Sequence, residues 1–301
     1  MTIQQLRYIV EVSKCNTISK AAENLYMTQP ALSKAIKSLE DEFDIVILER
    51  NNSKIIFTPQ GLEFVMYAKQ VLERIDSMEQ HFISKEKKVQ RLFVSTQHFS
   101  FAIKAFVDLV NLTSDENFKF DFKECVSDDI IENVSNGQSD IGLIYMTPSS
   151  EKYLCKLIKD KKLVFTPLKQ FKPHVFLRKD HPLANCDIIY PNQLTVYPII
   201  HFGIGSNSVS FTSEFREFSS AKQIITLYDR SVAPHLISRT NCYHIGTGCI
   251  IDGMPGENMT SIPLGGTKEF MNIGWISLKN EPLSDMVKKY MDLVKDIVDN
   301  L

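Results

Sequence analysis

The sequence predicts an α/β protein that carries a small, separate helical unit at its N-terminus. Three observations predict it. Up to about residue 58, short capped helical segments follow one another and end in two β-prone runs around a turn. After Pro59 a stretch without internal proline carries apolar residues at helical spacing. Beyond residue 90, short β-prone runs alternate with helical stretches, the pattern of an α/β region.

A chain of 301 residues is long for one domain, so two or three compact units are expected. The formal net charge is −2, and no run approaches the roughly 20 apolar residues of a membrane span. The N-terminal "MTIQQLRYIVEVSK" lacks the basic, apolar and small-residue segments of a secretory signal. A soluble, cytoplasmic chain is the expectation. Cys15, Cys125, Cys155, Cys186, Cys242 and Cys249 are scattered without any CxxC, which in a cytosolic chain reads as reduced, packing cysteines rather than zinc ligands. No metal or resident cofactor is implied.

The first element is a helix whose apolar set is Leu6, Tyr8, Ile9 and Val12, with Asn16 placed to end it in left-handed geometry. Thr17 then caps a second helix, whose packing face is Ala21, Ala22 and Leu25; two alanines permit close approach by a neighbour. Only Tyr26, Met27 and Thr28 remain for the turn, which is helix-turn-helix spacing. Thr28 caps the third helix, and Pro30 sits in its first turn, where a missing N–H costs nothing. At 100° per residue Leu32, Ala35, Ile36 and Leu39 fall on one side of it. Pro30, Ser33, Lys34 and Lys37 fall on the other, joined at one flank by Gln29.

Residues 46–48 and 55–58 are β-prone around "NNS", which predicts a hairpin wing with Arg50 and Lys54 beside its tip. Residues 1–60 carry as many acids as bases, yet Lys34 and Lys37 stand at the front of the third helix, while Glu40, Asp41, Glu42 and Asp44 crowd its end. An anionic partner meets the front. Helix, turn, capped helix and hairpin in this order are what a winged helix-turn-helix requires, and Gln, Ser and Lys contact base edges or phosphates. Double-stranded DNA is the expected partner.

The stretch "ISKAAENLYMTQPALSKAIKSLEDEFDIVILERNNSKIIFTPQG" resembles the N-terminal domain of LysR-type transcriptional regulators. The likeness covers the paired alanines, the Thr-Gln-Pro-Ala-Leu-Ser run, the Leu-Glu-Arg and the Thr-Pro-Gln-Gly. It departs at Asn16, Thr17 and Ile18, where the family often has Gly-Ser-Phe. The resemblance implies that Gln29, Pro30, Ser33 and Lys34 approach the major groove, Thr28 and Lys37 the DNA backbone, and that Arg50 and Lys54 belong to the wing.

Thr58 and Pro59 open a long helix through "QGLEFVMYAKQVLERIDSMEQHFISKEK". Leu62, Val65, Met66, Leu72, Ile75, Met78 and Phe82 form a stripe along a rod of about 40 Å. The resemblance implies a linker helix that pairs two subunits, giving a homodimer, a homotetramer, and a partly palindromic DNA site. The charge-rich "SKEKKVQR" marks a boundary. The expected organisation is a DNA-binding domain at 1–58, a linker helix at 59–88 and an effector domain at 89–301.

In the third region "RLFVS", "FKFDF", "DIGLIYM", "LVFTPL", "HVFLR", "YPIIHF", "QIITLY" and "YHIGTGCII" read as strands, and residues 100–110, 127–136 and 282–298 as helices. Mostly parallel sheets are expected. Crossings near "KDKKLVF" and "IPLGGTKEF" would divide the region into one lobe at 89–162 and 268–301 and another at 163–267. "NVSNGQSDIGLI" and "RKDHPLANCDIIYPNQL" resemble the LysR-type effector domain, which implies the two-lobed fold of type 2 periplasmic binding proteins.

Open α/β sheets bind ligands at the carboxyl ends of their strands. By that rule and by position in the resembling family, Thr96, Gln97, His98 and Ser100, then Ser127, then Tyr145 to Thr147, are candidate contacts of a small-molecule co-inducer. His201, Phe202 and Gly203, and Thr247 in the turn from Gly246 to Gly248, face them from the second lobe. No arginine stands among these, although Arg230 and Arg239 are expected nearby, so a strongly anionic effector is not indicated; the aromatic and His content equally suits a neutral or zwitterionic molecule. An alternative is thiol-based sensing through Cys242 and Cys249, seven residues apart with no Lys or Arg between them to lower a thiol pKa. No Gly-rich phosphate loop, GxSxG or HExxH is present, so an enzyme is not expected.

Overall fold

The computed structural model describes residues 1–15, 17–51, 54–83, 89–114, 117–202, 222–251, 253 and 258–301. Asn16, Gly203 and the side chains of Arg50, Lys54 and Phe82 lie outside the described residues. The chain divides into two compact units, Met1–Lys88 and Val89–Leu301.

In the first unit α1 (Ile3–Val12) begins at a reciprocal cap, the Thr2 N–H donating to Gln5 Oε1 at 2.8 Å and the Gln5 N–H to Thr2 Oγ1 at 3.2 Å. It buries Leu6, Ile9, Val10 and Val12. Thr17 caps α2 (Ile18–Asn24), accepting the Lys20 N–H at 3.2 Å. Ala21 and Ala22 are fully or almost fully buried, which brings α3 (Gln29–Phe43) close across the turn. The turn is made by Tyr26 at a φ of +54°, a left-handed conformation unusual for an aromatic residue. α3 buries Leu32, Ile36 and Leu39, each side chain contributing about 1.5–3 kcal/mol.

β1 (Leu48–Asn51) and β2 (Lys54–Phe57) pair antiparallel, so the hairpin begins two residues later than its β-prone run. The Glu40 carboxylate of α3 accepts the Ile47 and Leu48 N–H groups at 2.8 and 3.1 Å and ties the wing to α3. Thr58 caps α4 (Pro59–Ile83), accepting the Gly61 N–H at 2.9 Å while its hydroxyl donates to the Val46 carbonyl. A Cβ on Gly61 would stand 2.2 Å from the Ile47 carbonyl oxygen, so only glycine lets α4 meet the wing this closely.

α4 does not carry one uniform stripe. Val65 is buried, Leu72 packs against the same core, and α4 lies on α1. Leu62, Met66 and Met78 are exposed, as are Tyr67 and Val71. Two residues of the expected seam, Val65 and Leu72, therefore serve the unit's own interior.

The second unit has a five-stranded sheet in the order β4-β3-β5-β12-β6. Its strands are β3 (Gln90–Thr96), β4 (Phe118–Glu124), β5 (Ile141–Met146), β6 (Leu163–Phe171) and β12 (Met271–Leu278). Side chains alternate between two covered faces. Leu143, Ile273 and Trp275 meet α5 (Ser100–Leu112) and α10 (Asp285–Asp299), while Ile144, Met146 and Ile276 meet α6 (Ser127–Ser135) and α7 (Glu151–Asp160).

Further strands are β7 (His174–Arg178), β8 (Ile199–Phe202), β9 (Ile224–Leu227), β10 (His244–Gly246) and β11 (Met259–Pro263). They form a three-stranded sheet, β10-β7-β11, and the parallel pair β8-β9, with α8 (Pro191–Leu194) and α9 (Val232–Ile237). A bridge from Ile199 to Tyr243 joins the two.

The sheets are mixed rather than mostly parallel. β3 pairs parallel with β4 and β5, but β12 returns antiparallel between β5 and β6, and both pairings of β7 are antiparallel. "MTSIP" and "MNIGWISL", which became β11 and β12, follow turn-rich sequence and were not among the expected strands. "YHIGTGCII" yields only three strand residues, because Gly246 and Gly248 turn the chain. The first sheet keeps β6, so the chain leaves it at Lys172 and Pro173, about ten residues beyond the expected crossing. No described helix is long and apolar enough to cross a membrane.

Candidate DNA-binding surface and effector cleft

The front of α3 is held by its cap and its buried side. Thr28 Oγ1 accepts the Ala31 N–H at 3.4 Å, and Pro30 occupies the first turn. Thr28, Gln29, Pro30, Lys34 and Lys37 are exposed. Ser33 differs: it is half-buried, and its Oγ is enclosed without a hydrogen-bond partner. Lys37 pairs with Asp41 one turn on, at 3.0 Å, so an acid of α3's own rear half accompanies this lysine. Arg50 pairs with Ile55, and Asn51 with Lys54, in the hairpin register, which places both basic residues at the tip end of the wing. Tyr26, in the turn before α3, is 98% exposed.

In the second unit a cavity of about 90 Å³ is lined by His98 and Ser100 from the start of α5 and by residues of the second sheet and α9. Of the expected contacts, His98, Ser100, Phe202 and Thr247 stand on its wall. Ser100 donates from Oγ to the Cys249 carbonyl at 3.0 Å, linking α5 to the loop after β10. In that loop the Cys249 N–H reaches Thr247 Oγ1 at 3.3 Å. Gly248 has a φ of +83°, and a Cβ there would meet the His174 ring at 2.5 Å; glycine is what lets Thr247 sit at the wall.

The remaining expected contacts are not on this wall. Gln97 is buried and works as a strut: Nε2 donates to Ser127 Oγ at 3.1 Å, and Oε1 accepts the Tyr145 N–H at 2.7 Å. Thr96 Oγ1 donates to the Gln97 carbonyl at 2.7 Å, and the Cys125 N–H donates to the Thr96 carbonyl at 3.0 Å. Strand ends leave backbone groups without ladder partners, and here buried side chains satisfy them. Tyr145 meets Phe99 edge-on, and Thr147 bonds Ser149 and Ser150 at the start of α7. His201 lies beside Phe202 in β8 but is not among the lining residues; its Nε2 is enclosed without a partner.

The wall also holds residues outside the expected set, notably Arg230, His244, Phe176, Ala233, Ile237 and Met259. Arg230 follows β9 and stacks its guanidinium on the Phe202 ring, 3.9 Å from the centroid. Phe202 meets His244 edge-on at 4.8 Å, and His244 lies over Phe176 at 6.3 Å. The absence of an arginine from the expected contacts is thus corrected: the strand-end rule, applied to β9 as it was to β8, points at Arg230.

Cys249 lines the cavity, and Cys242 is buried in a separate cluster with Ile200, Ala233 and Ile237. Burial pushes both thiols up, the opposite of what a reactive thiolate needs.

Two family models match the chain. Residues 3–62 match the bacterial regulatory helix-turn-helix protein, lysR family, and residues 115–297 match the LysR substrate binding domain. The uncharacterised HTH-type transcriptional regulator YvbU of Bacillus subtilis is 28% identical over 263 residues, 85% of this chain and 84% of YvbU. The HTH-type transcriptional regulator BenM of Acinetobacter baylyi is 29% identical over 180 residues, 57% of this chain and 59% of BenM. A crystal structure of full-length CbnR with its target DNA superposes with a TM-score of 0.64 at 16% identity, covering 98% of this chain and 99% of that one. This chain belongs to the LysR family of transcriptional regulators, with an N-terminal helix-turn-helix domain and a C-terminal effector-binding domain.

Proposed function

We propose that the protein binds operator DNA through the front of α3 and that a small molecule in the cleft of the second unit alters that binding. The observation that carries the reading is the exposure of Gln29, Pro30 and Lys34 on a helix anchored behind by Leu32, Ile36 and Leu39. Gln29, Pro30, Ser33 and Lys34 approach base edges in the major groove; Thr28 and Lys37 contact phosphates, and Arg50 and Lys54 extend the contact from the wing. The exposed Leu62, Met66 and Met78 of α4 supply an apolar surface for a second copy, so a dimer presents two recognition helices to a partly palindromic site. Pairs of dimers form the tetramer, and the protein works in the cytoplasm. His98, Ser100, Phe202 and Thr247, with Arg230 and His244, contact the effector, which acts by binding one arrangement of the protein more tightly than another.

Genome-wide footprinting of the purified full chain at fixed salt tests this, since phosphate contacts make affinity salt-dependent. Discrete sites with partial dyad symmetry are expected. Diffuse binding that salt abolishes would overturn operator recognition by α3.

A further inference from the structure

The turn between α2 and α3 is built on a residue that the turn itself does not favour. α2 ends in two hydrogen bonds that close its last carbonyls: the Tyr26 N–H donates to the Glu23 carbonyl at 3.1 Å and the Met27 N–H to the Ala22 carbonyl at 3.0 Å. That pair of bonds requires a left-handed residue at position 26, where glycine, or sometimes asparagine, is the usual occupant. Here it is Tyr26, at a φ of +54°. For an aromatic residue this conformation costs free energy. Met27, one residue on, packs against the core of the first unit. The Tyr26 ring contributes nothing of that kind: it is 98% exposed, and its hydroxyl makes no hydrogen bond among the described residues.

Beside the ring stands the reading end of α3. Two residues take the chain from Tyr26 to the cap Thr28, a span of at most about 7 Å. A recognition helix that enters the major groove by its N-terminus carries the segment before it along the phosphates that border the groove. The Glu23 carboxylate, one turn back on α2, is already paired with Lys20 at 2.9 Å. We propose that Tyr26 is a further DNA contact, its hydroxyl donating to a phosphate oxygen next to the bases that α3 reads, a role that rests on α3 being the reading helix. The side chain has only two rotatable bonds, so ordering it on DNA costs little entropy, and being neutral it releases no counterion. It is a positioning contact: it holds the register of α3 and does not itself distinguish bases.

The test is fluorescence anisotropy of the full chain on a duplex carrying a footprinted site, across a salt series, with Tyr26→Phe, Tyr26→Gly and Lys34→Ala measured in parallel. Tyr26→Phe keeps the ring and the backbone and removes only the hydroxyl. Both Tyr26 variants are expected to bind about five- to tenfold more weakly with the salt slope unchanged, whereas Lys34→Ala should lower the slope by about one. Single-base changes in the site should cost Tyr26→Phe the same factor as the unaltered chain. Tyr26→Gly should unfold at a Tm no lower than that of the unaltered chain, because glycine adopts the left-handed turn without strain. Should Tyr26→Gly fail to fold, Tyr26→Phe decides. Unaltered affinity in Tyr26→Phe, or a loss in Tyr26→Gly accompanied by a lower Tm, would overturn the phosphate contact while a weakened Lys34→Ala keeps α3 as the reading helix. Unaltered affinity in Lys34→Ala would overturn that reading and the role of Tyr26 with it.

Discussion

The two candidate sites are built in opposite ways. On α3 the contacts from Thr28 to Lys37 lie within three turns of one helix, and the caps and buried residues that aim them belong to the same segment. In the cleft the wall runs from His98 to Met259, and residues distant in sequence meet only because α5, β8, α9 and β10 end near one point. A site within one helix is fixed by periodicity and capping. A site made of strand ends is fixed by topology, so single residues in it carry less information about their neighbours.

Substitution at the joint of α4 and the wing should have the largest effect. Gly61→Val would drive side-chain carbon into the Ile47 carbonyl oxygen, at a cost of about 3 kcal/mol. Denaturant titration should show the first unit unfolding earlier while the second keeps its midpoint. Coincident loss of both transitions would mean that the units unfold as one.

Alkaline pH should act on the other unit. Burial pushes the Tyr243 phenol up to about 12 and raises that of Tyr290, whose hydroxyl donates to the Ala102 carbonyl at 3.1 Å. Both lie in the core of the second unit. These groups stay protonated in the folded state while the unfolded chain releases its protons above about pH 10. Their stabilisation is therefore complete below pH 10 and is lost as pH rises toward 12, at up to about 1.4 kcal/mol per pH unit for each group. Tm measured from pH 8 to 11 should fall above pH 10, steeply for the second unit. A flat profile would reject their burial as the controlling factor.

What the sequence made legible follows the same division. Thr17, Thr28 and Thr58 announced helix starts because a cap is a local event, and each accepts the expected backbone N–H. Ser33 was harder to place, since its position on the wheel is polar although its hydroxyl is enclosed in the fold. In the second unit the alternation of strands and helices gave the class, but β12, which separates β5 from β6, lies about 125 residues after β5. Nothing in local pattern states such a pairing. Gln97 illustrates the cost. Read as a ligand contact from its place at a strand end, it instead satisfies backbone and hydroxyl groups of two other elements. Arg230 was the converse, a wall residue whose role depends on β9 lying beside β8.

On α3, replacing both Ser33 and Lys34 with alanine should weaken operator binding about ten- to a hundredfold and reduce the salt slope by about one counterion. Folding should be unimpaired, because Ser33 Oγ makes no hydrogen bond and its removal costs no partner. Operator affinity equal to that of the unaltered chain would dismiss the front of α3 as the reading surface.

The smallest effect concerns Lys37. Its pairing with Asp41 is an exposed contact one helical turn apart, worth about 0.3–0.5 kcal/mol to the helix. On DNA the same aspartate competes with phosphate for the ammonium. Asp41→Asn should therefore leave stability within 0.5 kcal/mol and raise operator affinity a few-fold at low salt, an advantage that fades as salt screens exposed charges. Lys37→Ala should lower affinity by a similar factor, and in that background Asp41→Asn should gain less. Fluorescence anisotropy on one operator across a salt series reads all three. If the two changes are additive, Asp41 acts through the general field of α3, and Lys37 is no nearer to a phosphate than any other surface lysine.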